Sequence, residues 1–592
     1  MSNTQREYIV DFISGEKVLS TPEEIEAVQV FSKQLVEDYN YPKSHIQTRP
    51  QFRVRIRPSD IKKEYPVDIA VFTNENKKED DILLIVECKK KNRKDGEEQL
   101  KDYLRFSRAF LGVWFNGSER IFLRKYESQN GIIEFERIPN IPKFGQKIDD
   151  IGKFKRKDLK PTHNLKSTFK AIRNYLAGNT IGATRDEILA QQLINLIFCK
   201  IYDERFTEQE DIINFRAGIN EKTEDVKERI LSIFSNVKRK YKEVFDEKDT
   251  ITLDANSIVY IVGELQNYCL IDVERDIIAD AFEAFIGHAL KGAQGQFFTP
   301  RNVVKMMVDI IDPNLDDVIV DPACGTGGFL IEALRHIWNK IENEGIKYKW
   351  TRENIKEEKL AFAINNIRGI DKDYFLSKVA KAYMTIIGDG KSGIFTEDSL
   401  ETIENWSLPV KQKINLNQFS IVLTNPPFGS KIQVCGEDKL KQFEFGYKWK
   451  YDEKISKWKK GKLKIKEAPQ ILFIERCIQL LQFGGRMAIV LPDGIFGNSK
   501  LGYIRKFLFK YTRIVAIIDI PVETFMPNTS SKTSILVLQK LKPEDIPDDY
   551  PIFMASASEC GHDRRVNYKE QDDISNIAAE FKKWAKENNF NF

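Results

Sequence analysis

Apolar positions recur along this chain in two rhythms, and the change of rhythm divides it. From Pro22 to Tyr39 the spacing is helical, and Pro22, Glu23 and Glu24 suit a first turn. Short apolar runs then predict strands at Val67–Phe72, Ile82–Glu87, Gly112–Asn116 and Arg120–Arg124. A helix over about Gly96–Phe110 separates the second strand from the third. Residues 1–140 therefore read as a small α/β domain. Residues 141–165 are basic and broken by Pro142 and Pro161, which predicts a linker. Residues 166–290 return to helical spacing, as in Glu187–Tyr202 and Ile277–Leu290. From 291 to 545, strands at Val318–Asp321, Ile367–Asp371, Phe419–Leu423, Met487–Leu491, Ile514–Asp519 and Ser534–Gln539 alternate with helices. That alternation predicts a parallel sheet covered by helices. A tail, 546–592, carries an amphipathic stretch at Ile574–Glu587.

Composition narrows the function classes only slightly. Charged residues make up 30% of the chain, yet the net charge is +4, so any surface for a polyanion has to be local. The seven cysteines form no Cys-x-x-Cys pair, which excludes a zinc framework of that kind and a redox pair. Scattered thiols fit a reducing cytoplasm. Met1–Asp11 holds no apolar signal core, and no apolar run is long enough to span a bilayer, so a cytoplasmic chain without a membrane partner is expected. His45, His163, His288, His336 and His562 show no metal-ligand spacing.

The candidate chemistry is concentrated in two places. In the first, the strand Val318–Asp321 runs into Pro322-Ala323-Cys324-Gly325-Thr326-Gly327-Gly328-Phe329. Glycines there permit a tight turn and close approach of a ligand to the backbone, and helix-starting amides can face a carboxylate. Asp371 ends the next strand, where an acid can hold ribose hydroxyls, and Asp398 follows at a later loop. After Phe419–Leu423 comes Thr424-Asn425-Pro426-Pro427-Phe428. An exocyclic amine of a base is a poor nucleophile, because its lone pair is delocalised into the ring. Acceptors from the Asn425 side chain and the Pro426 carbonyl can hold its two N–H groups and favour a tetrahedral nitrogen. The prolines stiffen the loop, and Phe428 offers a face for an extruded base. Cys324, in the Gly-rich turn rather than beside the prolines, reads as a small packing residue.

In the second place, Asp68 opens one apolar strand, and Glu87-Cys88-Lys89 closes another. Two carboxylates on adjacent strands can hold Mg²⁺, and a lysine two residues on lies on the same strand face, placed to handle an attacking water. Gln99 and Tyr103 share one face of the following helix.

Gly295–Pro300, Asp321–Phe329 and Asn425–Phe428 together resemble the N6-adenine DNA methyltransferase domain of type I restriction–modification systems and related fused enzymes. The stretch from Gly484 to Gly494 resembles a later strand and turn of that family, and the likeness covers about residues 170–545. It implies a Rossmann-like methyltransferase domain in which Phe298, Thr299, Asp321, Gly325, Gly327, Asp371 and Asp398 contact S-adenosylmethionine. Asn425, Pro426 and Phe428 would form the catalytic loop. The N-terminal pattern resembles the nuclease domain of type I restriction subunits. It implies a restriction-endonuclease-like fold with Asp68, Glu87 and Lys89 catalytic, Gln99 accessory, Glu24 a further acid, and Mg²⁺ on Asp68 and Glu87.

The expected protein is thus a multidomain α/β chain: nuclease-like domain 1–140, linker 141–165, helical domain 166–290, methyltransferase domain 291–545 and tail 546–592. It would methylate adenine N6 in double-stranded DNA and cleave DNA. Two alternatives stand beside this: an N-terminal domain that binds DNA without cutting it, and a non-catalytic assembly subunit. Only about fifty residues follow Gln539, few for a target-recognition domain. The resemblance implies that a separate specificity subunit supplies one. Gly388-Asp389-Gly390-Lys391-Ser392 is no phosphate loop, since Thr385 stands where that motif needs glycine. Lys439–Lys466 carries eleven lysines among six aromatic residues; it suits phosphate contact and base stacking, and equally a solvated amphipathic insertion.

Overall fold

The computed structural model describes residues 7–592 apart from 56–63, 92, 129, 163, 180–185, 272–298, 388–392, 430–431, 527–528 and 565–567. Phe298, His163, His288, the whole of the expected helix Ile277–Leu290 and the Gly388–Ser392 segment lie outside the described residues. The backbone forms two compact units, Met1–Lys242 with Asp246–Ala289, and Glu243–Phe245 with Leu290–Phe592. No described helix is long and apolar enough to cross a membrane.

The first unit is built on a six-stranded sheet. Its strands, in both chain order and spatial order, are β1 (Ile46–Gln47), β2 (Ile69–Phe72), β3 (Ile82–Cys88), β4 (Leu111–Phe115), β5 (Arg120–Glu127) and β6 (Ile133–Arg137). Only β3 and β4 run parallel, and the helix that a parallel crossover needs is α2, Glu97–Arg105. The run Ile-Leu-Leu-Ile-Val in β3 is apolar throughout because both faces are covered. Leu84, Val86 and Cys88 pack with Phe31 and Leu35 of α1 (Gln29–Glu37); Ile82 and Ile85 pack with Leu100 and Leu104 of α2.

Helices α3 (Leu165–Asn179), α4 (Asp186–Phe206), α5 (Thr223–Lys240) and α6 (Ala255–Leu265) complete this unit. They are joined to the sheet by buried polar groups. Arg120 of β5 meets Glu264 of α6 through Nε at 2.8 and 2.7 Å, and the two side chains are 3% and 0% exposed. Asn140 donates to the Gly263 carbonyl at 2.8 Å and accepts from Tyr39 Oη at 2.7 Å. The expected linker is corrected here. Residues 141–165 are packed, with Ile141, Ile151, Phe154 and Leu159 buried, and Thr162 and Asn164 donate to the Asp38 carboxylate. The prolines and lysines that suggest a tether alternate with apolar residues that need cover.

The second unit carries an eight-stranded sheet. In chain order its strands are β7 (Ile319–Asp321), β8 (Ile367–Asp371), β9 (Ile394–Thr396), β10 (Phe419–Thr424), β13 (Leu481–Pro492), β14 (Thr512–Ile520), β15 (Thr533–Lys540) and β16 (Phe553–Ser556). Two further strands, β11 (Tyr447–Asp452) and β12 (Lys457–Leu463), form a separate hairpin. The spatial order is β9-β8-β7-β10-β13-β15-β14-β16. All six expected strands are present; β9 and β16 are additional.

The expected all-parallel sheet is corrected at β15, which lies antiparallel between β13 and β14. Among its described residues the segment between β14 and β15 holds only a short 3-10 turn, Val522–Phe525, too little for a crossover helix. The tail is likewise no appendage. β16 extends the sheet, and α13 (Ile574–Glu587) buries Ile574, Ile577, Ala578 and Phe581 in the core shared with α7 (Arg301–Ile311). Phe553, Phe581, Trp584 and Phe590 form an aromatic cluster there.

Breaking the Arg120–Glu264 pair strands a buried charge. Glu264→Ala is expected to destabilise the first unit by about 3–5 kcal/mol, and replacing both residues by Met to recover most of that. Calorimetry of the full chain reads the difference; an unshifted transition in Glu264→Ala would refute the role given to the pair.

Candidate functional site

The C-terminal ends of β7, β8 and β10 open onto a cavity of about 190 Å³. This is where parallel α/β sheets bind ligands, because the turns there diverge to the two faces. β7 ends at Asp321, and α8 (Gly328–Tyr348) begins after the Gly-rich turn. Gly325 adopts φ +52°, and a Cβ built there meets no atom within 4 Å, so the turn presents bare backbone to open space. Its amide donates to Asp371 Oδ2 at 2.8 Å, and the Asp373 amide donates to Oδ1 at 2.8 Å. One carboxylate therefore ties the turn after β7 to the turn after β8.

The wall of this cavity is acidic. Asp371, Glu397 and Asp398 line it, with Lys372 as the one basic lining side chain among the described residues. Burial raises the Asp371 carboxyl above its usual range. Asp321 stands behind the wall, 1% exposed, accepting from the Ala323 amide at 3.0 Å. Burial, with a smaller contribution from the Asp371 charge, pushes its pKa up to about 7. Asp398 Oδ1 accepts from the Leu400 amide at 3.0 Å, and Oδ2 pairs with Lys439 Nζ at 2.7 Å. Lys439 also reaches Glu401 at 2.9 Å. Such a wall favours a ligand with positive charge. The bare Gly325 backbone and the carboxylates fit S-adenosylmethionine, whose sulfonium is cationic. Burial holds the Cys324 thiol well above its usual range, in keeping with a packing role.

The second wall is the loop after β10. Asn425, Pro426 and Pro427 all line the cavity. The parallel register pairs Ile319 with Ile421, and its continuation brings Asn425 level with the turn after Asp321. Asn425 Nδ2 donates to Thr299 Oγ1 at 2.9 Å. Its Oδ1 is buried and has no partner among the described residues. An unmet buried acceptor is costly, which marks a place where a donor is expected to arrive. Phe428 is elsewhere: it is 3% exposed, outside the cavity lining, with its ring edge-on to Phe525 at 6.4 Å. Gly327 holds φ +87° at the start of α8 and shapes the turn without lining the cavity.

Glu397 and Lys439 carry no sequence signal. Glu397 sits one residue before Asp398 and joins the wall through the β9 turn. Lys439 is hidden among the other lysines of its stretch.

In the first unit, the antiparallel register Ile69–Val86 continues to set Asp68 opposite Glu87. Strand alternation puts Ile85, Glu87 and Lys89 on the α2 side of β3. Asp68 Oδ2 accepts from the Cys88 amide at 2.7 Å, and Lys89 Nζ pairs with Glu87. Gln99 Oε1 is 3.4 Å from Lys89 Nζ, and Gln99 Nε2 donates to Tyr103 Oη at 2.6 Å. Burial raises both the Asp68 and the Glu87 carboxyl, and the Asp68 charge raises Glu87 further. The structure thus brings Asp68, Glu87, Lys89 and Gln99 together. Glu24 is held instead by Arg49 at 2.7 Å and by Gln29 at 2.8 Å, and the acid whose charge bears on Asp68 and Glu87 is its neighbour Glu23. Among the described residues no group of three or more His, Cys, Asp or Glu side chains is placed to hold a metal.

Two family models match the chain: Type I restriction enzyme R protein N terminus over residues 22–142, and N-6 DNA Methylase over residues 273–592. The EcoEI type I restriction enzyme methylase subunit of Escherichia coli is 29% identical over 274 residues, 46% of this chain and 48% of its own. The EcoKI methylase subunit of Escherichia coli strain K12 is 23% identical over 374 residues, 59% of this chain and 62% of its own. The solved type I restriction–modification methyltransferase subunit from Streptococcus thermophilus is 18% identical, with 72% of this chain and 94% of that one covered at a TM-score of 0.49. The chain spans about half to three fifths of the length of these curated relatives. With its cofactor-type turn, its Asn-Pro-Pro-Phe loop and a family match running over more than half of its residues, the chain belongs to the N-6 DNA methylase family.

Proposed function

We propose that this chain transfers a methyl group from S-adenosylmethionine to the N6 amine of adenine in double-stranded DNA. The observation that carries the reading is the buried, unmet Asn425 Oδ1 on the wall of an acidic cavity. In this reading Asp371 holds ribose hydroxyls, Asp398 lies toward the adenine of the cofactor, and Gly325 with the start of α8 meets its carboxylate. S-adenosylmethionine supplies the electrophilic methyl group. The chain's own task is to make the amine a nucleophile. Asn425 Oδ1 and the Pro426 carbonyl accept its two N–H groups, and Thr299 keeps the Asn425 amide turned so that Oδ1 stays available. Phe428 braces the loop against Phe525, and a base can stack on it only once a ring face is uncovered. Sequence choice is assigned to a separate specificity subunit, as the kinship with type I methylase subunits suggests.

A second reading concerns the N-terminal domain, which we propose hydrolyses DNA with Mg²⁺. It is favoured by the convergence of Asp68, Glu87, Lys89 and Gln99 at the end of β3. Asp68 and Glu87 would hold the cation, which neutralises charge on the phosphate; Mg²⁺ commonly takes one or two carboxylates and completes its shell with water and phosphate. Lys89 would orient the attacking water, and Gln99 steady Lys89.

Both readings are open to test. With tritiated cofactor and a specificity partner, Asn425→Ala is expected to lower methyl transfer roughly 100-fold or more while leaving cofactor binding intact. Transfer unaffected by Asn425→Ala would overturn the catalytic loop. Asp371→Ala is expected to weaken cofactor binding roughly tenfold or more by titration calorimetry, the scale of a lost hydrogen bond to a charged group. Supercoiled plasmid nicked in Mg²⁺ by the wild type should survive Glu87→Ala. Equal nicking by the two proteins, or nicking in chelator, would sink the nuclease reading.

A further inference from the structure

Between β10 and α11 (Pro469–Leu480) the chain leaves the sheet and returns to the same cavity. Val434 lines the cavity where this excursion begins, and Pro469 and Phe473 line it where it ends. The short strands Val434–Cys435 and Lys466–Glu467 pair at its base. Glu475 of α11, buried, accepts from the Glu444 and Phe445 amides at 2.8 and 2.9 Å and fixes the approach to the hairpin. The β11–β12 hairpin is therefore carried on two stems, both rooted in the cavity wall.

The two faces of this hairpin differ sharply. On one, Trp449 stacks on Tyr503 of α12 (Gly502–Tyr511) with ring centroids 5.9 Å apart and planes 6° apart, and Trp458 meets the same ring at 65°. A Cβ at Gly502 would lie 2.8 Å from the Trp458 ring, so only glycine allows this approach. Lys460 covers Tyr447 on that side and pairs with Glu444 at 2.9 Å.

The other face is almost entirely lysine. Strand alternation and the register put Lys448, Lys450, Lys457 and Lys459 there, with Lys462 beside them and Asp452 as the one acid of the two strands. Lys450 stands directly opposite Lys459, an arrangement that destabilises a hairpin in the absence of an anion. Lys459 pairs with Asp452 at 2.7 Å. Lys448, Lys450, Lys457 and Lys462 are exposed and form no ion pair within 4.0 Å among the described residues.

We propose that this lysine face grips the phosphate backbone of a DNA duplex beside the Asn-Pro-Pro-Phe loop. The assignment rests on the methyltransferase reading for why DNA is there. The geometry favours a duplex backbone over a single strand, because both tryptophans that could stack on unpaired bases are committed to Tyr503. Lysine without base-reading side chains positions nucleic acid rather than reading it. In the sequence, phosphate contact and base stacking stand together in this stretch; the fold turns both tryptophans to Tyr503 and leaves the lysines, with Tyr451, outward.

The test measures binding of a fluorescein-labelled duplex of random sequence to the full chain by anisotropy, at salt from about 50 to 200 mM. Replacing Lys448, Lys450, Lys457 and Lys462 by Gln is expected to weaken binding roughly tenfold or more at the lowest salt. The slope of log affinity against log salt should become shallower by about 0.9 for each phosphate that the variant leaves unneutralised. Arg at the same four positions should restore both quantities. Unchanged cofactor binding by the Gln variant shows that the unit is intact. Unchanged duplex affinity and slope would overturn the assignment, as would a loss confined to single-stranded RNA or to an acidic polypeptide. A wild type that transfers no methyl group, yet loses duplex affinity in the Gln variant, refutes the methyltransferase reading and leaves the hairpin assignment standing.

Discussion

The Gly325 amide and the Asp371 carboxylate, 2.8 Å apart, hold together the ends of two strands that would otherwise diverge. The neighbouring Cys324 amide reinforces the link by donating to the Ile370 carbonyl at 2.9 Å. With the turn after β7 tied to the turn after β8, the wall of the cavity has a set shape before any ligand arrives. The geometry of the third strand follows from this. Because β10 pairs in parallel with β7, Asn425 comes out of the sheet at the level of the Gly-rich turn and faces the same space. Glycine is required at 325 for two separate reasons: its positive φ, and the empty space that a ligand would fill.

Two clusters of carboxylates sit at strand ends in this chain, and burial works on both in the same direction. Asp321 and Asp371 in the second unit, and Asp68 and Glu87 in the first, are all raised by desolvation. The surroundings then differ. Lys89 stands against Glu87 and offsets part of its charge. Around Asp371 no described lysine makes an ion pair with the carboxylate; backbone amides hold it, and the wall remains acidic toward a cationic ligand. Burial that looks alike thus leaves different net charge in the two places, depending on whether a fixed cation stands beside the acids.

The excursion between β10 and α11 shows how charge and packing can be sorted within one stretch. Phe445, Trp449 and Trp458 meet Tyr503, while Lys448, Lys450, Lys457 and Lys462 are left for water or for an anion. The tail follows the same logic in apolar form. Phe581 is buried against Phe553 and Phe590 against Phe581, so that residues which read as an appendage close the core under α7.

Much of this was legible in the residues alone. Six of the eight sheet strands of the second unit, α13 over Ile574–Glu587, the Gly-rich turn and the Asn-Pro-Pro-Phe loop are all local patterns, set by side-chain period, glycine freedom and proline stiffness. What depended on distant partners was not legible. The antiparallel insertion of β15, the packing of 141–165, the charge of Glu23 rather than Glu24 bearing on Asp68, the place of Glu397 in the cavity wall and the pairing of Lys439 with Asp398 each rest on contacts between residues far apart in the chain. The same holds for the lysine hairpin. Its composition is evident in the sequence, but which side of each strand meets Tyr503, and therefore which lysines remain outside, was decided only when α12 folded against it. Local chemistry names the parts of a site; burial and register, which are properties of the whole fold, decide which parts meet.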